Sequence, residues 1–229
     1  MKAFLNYLED EDLIENNPFN KLRISLREPV LLPRTIPLRT IEQLLSEAHH
    51  TASAGPTPYI KKYALRDAAV MELLFATGLR VSELCRLNVA DLDLVEGTVK
   101  IYGKGAKERI VQIGTPDVLA LLSKYHCCFG GRASAPFFVN RAGSRISEQS
   151  VRAILNKYAS RIHSDLHVTP HMFRHSFATL LLEEDVDIRY IQQFLGHSSI
   201  TTTQIYTHVA MAKQKAILIN KHPRNKMSL

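Results

Sequence analysis

One stretch of this chain keeps a different period from most of the rest. In TVKIYGKGAKERIVQIG, Thr98 to Gly114, two short runs rich in β-branched residues are joined by a turn that sets Lys104 between Gly103 and Gly105. Such a pair of runs predicts a β-hairpin. PFFV, Pro136 to Val139, reads as one further short strand. Elsewhere apolar residues recur at helical spacing, punctuated by glycine and proline. The pattern predicts a fold that is mainly α with a small antiparallel β-sheet.

The remaining elements follow from the same reading. A helix is expected from Ala3 to Ile14, where Phe4, Leu5, Leu8 and Leu13 share a face, and it stops at ENNPF. KLRISLREPVLLPRTIPLR, Lys21 to Arg39, carries three prolines and four arginines without a period, so 21–39 reads as an extended linker and a domain boundary. Thr40 and Gln43 have the spacing of a capping box at the start of the next helix. A helix from Tyr59 to Thr77 ends at Gly78, a good residue for a left-handed cap, and another begins near Ser82. Thr115–Phe129 and Ser147–Ile162 read as helices, and Thr169–Asn220 as three or four short ones.

Lysine plus arginine number 29 against 22 acidic residues, a net charge of +7 that suits a polyanionic partner such as nucleic acid without requiring one. The three cysteines, two of them adjacent at Cys127 and Cys128, form neither a disulfide framework nor a metal-ligand spacing, which points to a reducing compartment. No apolar run is long enough to span a membrane and no signal peptide is visible, so a cytoplasmic protein is expected, away from membranes.

Several segments carry chemistry-bearing residues, each open to a plainer reading. In VTPHMFRHSFATLLLEE, Thr169 is a suitable N-cap and Pro170 a suitable first helical residue. His171 then lies in the first turn, with Arg174 and His175 on its face. Such a helix start binds phosphate well, but it also fits a capped surface helix with a structural arginine. A zinc reading of His171, His175 and His197 lacks the acidic residue a metalloprotease helix places between its histidines. Arg80, in the join after Gly78, suits a structural clamp or a cleft, with Glu83 one turn on to orient it. Lys104 reaches outward from a hairpin tip or merely keeps the turn soluble. DIRYIQQFLGHSSITTTQIYTHV, Asp187 to Val209, has the pattern of a helix-turn-helix. Its second half is built of Ile200, Thr201, Thr202, Thr203 and Ile205, which hold a helix weakly, with Tyr206 behind them.

Together, ATGLRVSEL, GKGAKERIV, HMFRHSFAT and LGHSSITTTQIYTH resemble the catalytic domain of the tyrosine recombinase (phage integrase) family, in its Xer-like and mobile-element branch. They occur in the family's order over nearly the whole chain from Thr40. The resemblance implies that fold and the breaking and rejoining of double-stranded DNA through a covalent 3′-phosphotyrosyl ester, without cofactor, metal or ATP. It implies Tyr206 as nucleophile, Arg80 and Arg174 on the scissile phosphate, and Lys104 as acid to the leaving 5′-oxygen. His171 would assist proton transfer from the tyrosine, and His197 would hydrogen-bond the phosphate. Glu83 and His175 match supporting positions. These residue types fit the chemistry. A phenol of pKa near 10 is only ~0.1% ionised at pH 7, so a base and nearby cations help it. Fixed donors stabilise the charge gained at phosphorus.

The same resemblance places the helix ISEQSVRAILNKY in the major groove. Gln149 and Arg152 are then candidate base contacts, and Lys107, Arg109 and Arg145 candidate phosphate contacts. FLNYLEDEDLIENNPF resembles the last helix of the N-terminal domain with which family members clamp DNA. Residues 1–20 are therefore read as its remnant and 40–229 as the catalytic domain, with weak, salt-sensitive DNA binding expected of them. The tail has apolar positions at Ala212, Ala216, Ile217 and Ile219, suited to docking on a neighbour in a tetrameric synapse or to folding back. A weak helix under Tyr206 would let the nucleophile be presented and withdrawn. A silent DNA-binding regulator and a type IB topoisomerase-like enzyme are the alternatives on the same scaffold.

Overall fold

The computed structural model describes residues 2–17, 34–102 and 108–196. The chain divides into two compact units, 1–32 and 33–229. In the first, α1 (Lys2–Asp10) is followed by a turn in which the Asn17 amide donates to Glu9 at 3.0 Å. The helix therefore stops short of Ile14, where the apolar spacing had placed its end.

The second unit is organised around α3 (Pro58–Thr77), whose residues from Ala64 to Val70 and beyond are buried on nearly every side. Its sequence explains this: ALRDAAVMELLFAT is small or apolar around the whole circumference, the pattern of a core helix. Packed against it are α2 (Leu38–Ala54), α5 (Pro116–Phe129), α6 (Glu148–Arg161) and α7 (Pro170–Glu183). Two buried charges of this helix, Arg66 and Asp67, are spent internally. Arg66 donates from Nε and Nη2 to Asp67 and from Nη1 to the Val139 carbonyl, and Lys157 of α6 donates to Asp67 at 2.7 Å. This ion cluster pins α6 to α3. Among the described residues no helix is long and apolar enough to cross a membrane.

Helix starts follow local chemistry. Thr57 caps α3 by accepting from the Ile60 amide, with Pro58 at the first helical position, so α3 starts there and not at Tyr59. Thr169 caps α7, as expected, and Ser147 likewise caps α6. Thr40 does not cap α2: the helix already begins at Leu38 behind Pro37. The sheet has the order β1 (Leu92–Asp93), β2 (Thr98–Tyr102), β3 (Glu108–Gln112), all antiparallel, with Val99 opposite Val111 and Ile101 opposite Arg109. The two-residue β1 has no alternating pattern long enough to read from sequence.

PFFV is not a strand; it makes two isolated bridges, Asn88 with Pro136 and Val139 with Arg145. Its backbone partners lie elsewhere. Phe137 donates to the Leu87 carbonyl, the buried Tyr125 hydroxyl donates to the Phe137 carbonyl and accepts from Val139, and Ile146 donates to Phe138. Phe137 and Phe138 pack against the Tyr125 ring, so aromatic packing overrides strand propensity here.

At the end of α3, Gly78 takes the left-handed conformation at φ +61 and its amide closes on the Leu74 carbonyl. A Cβ there would stand 2.5 Å from Phe177 of α7 and 3.0 Å from Leu195. Any side chain at this position is strained twice. Gly78→Ala is expected to cost about 2 kcal/mol or more of unfolding free energy in a denaturant titration; a loss below about 0.5 kcal/mol would contradict this account of the joint.

Candidate active site

Two helices end close together, α3 at Gly78 and α8 (Ile188–Leu195) at Gly196, both in left-handed glycines. Helix C-termini leave carbonyls without partners and carry partial negative charge. Arg174, on α7 and 6% exposed, fills that place. One Nη donates to the Gly78 carbonyl at 2.8 Å and the other to the Leu195 carbonyl at 2.7 Å. Three helices therefore fix one guanidinium.

Arg80 lies two residues beyond Gly78, as the N-cap of α4 (Val81–Arg86). Glu83 accepts from the Arg80 amide at 2.9 Å and from its Nη1 at 3.0 Å, a capping box that also aims the side chain. From β3, Arg109 donates to both oxygens of the same carboxylate, at 2.9 and 2.8 Å. Burial alone would raise the pKa of Glu83. The hydrogen bonds from Arg109 and from the Arg80 amide, with the charges of both guanidinium groups, outweigh burial and hold it below the ordinary carboxylate value.

On α7, His171 is exposed in the first turn, and Arg174 and the half-buried His175 follow on its face. Burial lowers the pKa of His175, and the neighbouring His171 and Arg174 lower it further. The structure thus brings Arg80, Glu83 and Arg174 to one corner, with His171 and His175 on the helix that supplies Arg174. Lys104, Lys107, His197 and Tyr206, with the tail and the weak helix under Tyr206, lie outside the described residues.

The residues expected at DNA divide. Gln149 is exposed at the start of α6, and Arg152, also exposed, pairs with Glu148 at 3.0 Å. Arg145 has a structural task the sequence does not reveal: it donates to the Cys85 and Leu87 carbonyls at the end of α4 and to the Asn88 side chain. Arg109 is held by Glu83 as described. Sequence reasoning missed Gly196 as a packing partner: a Cβ on it would stand 2.9 Å from the Arg109 guanidinium. The positive φ of +62 marks the same residue, and the glycine before His197 was the available signal.

The model of the phage integrase family matches residues 34–213. A tyrosine recombinase of Agathobacter rectalis is 58% identical over 226 residues, covering 98% of this chain and 74% of that protein. The tyrosine recombinase XerC of Bacillus subtilis is 36% identical, covering 98% of this chain and 72% of its own length. Among solved structures, the XerA recombinase superposes with a TM-score of 0.67 at 27% identity, over 96% of this chain and 81% of that one. The XerH recombinase bound to its difH substrate before cleavage superposes with a TM-score of 0.67 at 25% identity, over 88% of this chain and 57% of that one.

The depressed pKa of His175 has a consequence for stability. The fold favours the neutral imidazole. As pH falls through the ordinary histidine value of 6.5, the unfolded chain binds a proton that the folded protein refuses, so stability present above that value declines below it. The urea midpoint is expected to fall between about pH 7.5 and about pH 5.5, and to fall less in His175→Gln. An identical decline in the variant would contradict the assignment.

Proposed function

The chain belongs to the phage integrase family and is a tyrosine-type site-specific DNA recombinase; from that premise we propose that it cleaves and rejoins duplex DNA through Tyr206, with the Arg174–Arg80 corner holding the scissile phosphate. The observation that carries the proposal is the convergence of Arg174 and Arg80, from different elements, each with its guanidinium oriented by a buried partner. Two planar cations offer the forked donor geometry that phosphate oxygens fit. The XerH recombinase has been solved bound to its difH substrate, which supports double-stranded DNA as the partner of this chain.

The Tyr206 oxygen attacks phosphorus, its proton passing to His171. The bond to the 5′-oxygen breaks, and Lys104 donates the proton that this alkoxide needs to leave. The products are a 3′-phosphotyrosyl ester and a free 5′-hydroxyl. A 5′-hydroxyl from a second duplex then attacks the ester and releases the tyrosine, so bond count is conserved and no external energy is needed. Charge grows on the phosphate oxygens between these states, and Arg80, Arg174 and His197 meet it with fixed donors. Exchange between two sites needs copies of the chain on both, so a tetrameric assembly on DNA is part of the proposal. Residues 40–229 carry the chemistry, and 21–39 link them to the helix of 1–20.

A pool of nicked duplexes of randomised sequence tests this. Wild-type protein is expected to form a covalent adduct that survives denaturation, Tyr206→Phe to form none, and Arg80→Ala to form it about 100-fold more slowly. An adduct persisting in Tyr206→Phe would refute the assignment of the nucleophile.

A further inference from the structure

Arg109 and Ile110 reverse the expected polarity of their strand. Arg109 stands opposite Ile101 and in phase with Val111, on the face of the sheet that turns toward the core, while Ile110 between them is 70% exposed. The Arg109 side chain is 17% exposed against 40% for Arg80. Its Nε is buried with no hydrogen-bond partner among the described residues. A buried arginine–carboxylate pair is often no more stabilising than an apolar pair of the same shape. An inward arginine on a two-faced strand therefore asks for a reason beyond stability.

The division of Glu83 between two arginines supplies one. Arg109 takes both carboxylate oxygens through both Nη groups, whereas Arg80 uses one Nη only. Glu83 is nearly inaccessible, with its side chain 6% exposed. Without Arg109 its charge would have, among the described residues, a single side-chain partner, and that partner would be drawn into the fork that Arg109 vacates. We propose that Arg109 is a positioning residue for strand cleavage: by saturating Glu83 it leaves the Arg80 guanidinium turned outward to the scissile phosphate. This rests on the recombinase reading above, and it replaces the phosphate contact that the sequence led us to expect of Arg109. Gly196, left-handed at φ +62, packs beside the same guanidinium, where a Cβ would stand 2.9 Å from Arg109.

Four proteins decide it: wild type, Arg109→Gln, Glu83→Gln and the double variant. Each is measured for single-turnover adduct formation on nicked duplex recovered from the wild-type pool, and for affinity to a generic duplex across salt concentrations. Arg109→Gln is expected to slow the adduct by about 10- to 100-fold with the salt slope of binding unchanged. Removing the carboxylate charge as well removes the pull on Arg80, so the double variant should regain about threefold or more over Arg109→Gln. A shallower salt slope, by about one unit, would make Arg109 a phosphate contact and overturn the proposal. A double variant no faster than Arg109→Gln would overturn it too. Should Arg109→Gln fail to fold, Arg109→Lys, which keeps the charge without the fork, takes its place in the same comparison. If wild type forms no adduct at all, the recombinase reading fails, and the salt slope still decides whether Arg109 meets phosphate.

Discussion

Arg174 lies where two helices run out of hydrogen bonds. The carbonyl ends of α3 and α8 come together at the tip of Arg174 from α7, and its guanidinium satisfies both. Hydrogen bonds to a charged donor contribute about 1.5–3 kcal/mol each, so this contact holds the joint after Gly78 and the turn at Gly196 in one arrangement. The rest of the site hangs on those two points. Arg80 emerges two residues past Gly78, and His197 follows Gly196 in the chain. In the proposed mechanism the cation that meets phosphate is also the cation that the backbone needs for closure.

Two other buried carboxylates follow a common logic. Glu83 joins β3 to α4, and Asp67 joins α3 to α6 through Arg66 and Lys157. Each carboxylate is matched by more than one cation, so none is left alone in a medium of low dielectric. The contacts of Arg109 with Gly196 and of Arg174 with Leu195 bring the strand and α7 to the same turn. Charged groups thus fix the relative places of the hairpin, the Gly78 joint and α8, while the apolar core around α3 supplies the bulk of the packing.

Much of this was legible in the residues. Gly78 as a left-handed cap, Thr169 and Pro170 opening α7, Ser147 opening α6 and the hairpin strands all follow from local chemistry, and local chemistry is what a sequence states directly. What escaped is non-local. PFFV has strand propensity, but its backbone is claimed by Tyr125 and Leu87, residues far away in the chain. Arg145 and Arg109 look like surface cations until the carbonyls of α4 and the Glu83 carboxylate are brought to them. For Arg109 a signal did exist, since its phase with Val111 places it inward. The four motifs that resemble the family were sufficient for its identity, because they occur together and in the family's order.

In the proposed mechanism Arg174 serves backbone and phosphate at once. Its most direct test is the structure of the protein on a nicked duplex, read at that guanidinium. Arg174 is expected to keep both carbonyls, of Gly78 and Leu195, within hydrogen-bond distance while it contacts an oxygen of the scissile phosphate. An Arg174 that leaves both carbonyls to reach the phosphate, or that keeps them and never meets it, would contradict the claim that one fixed cation does both.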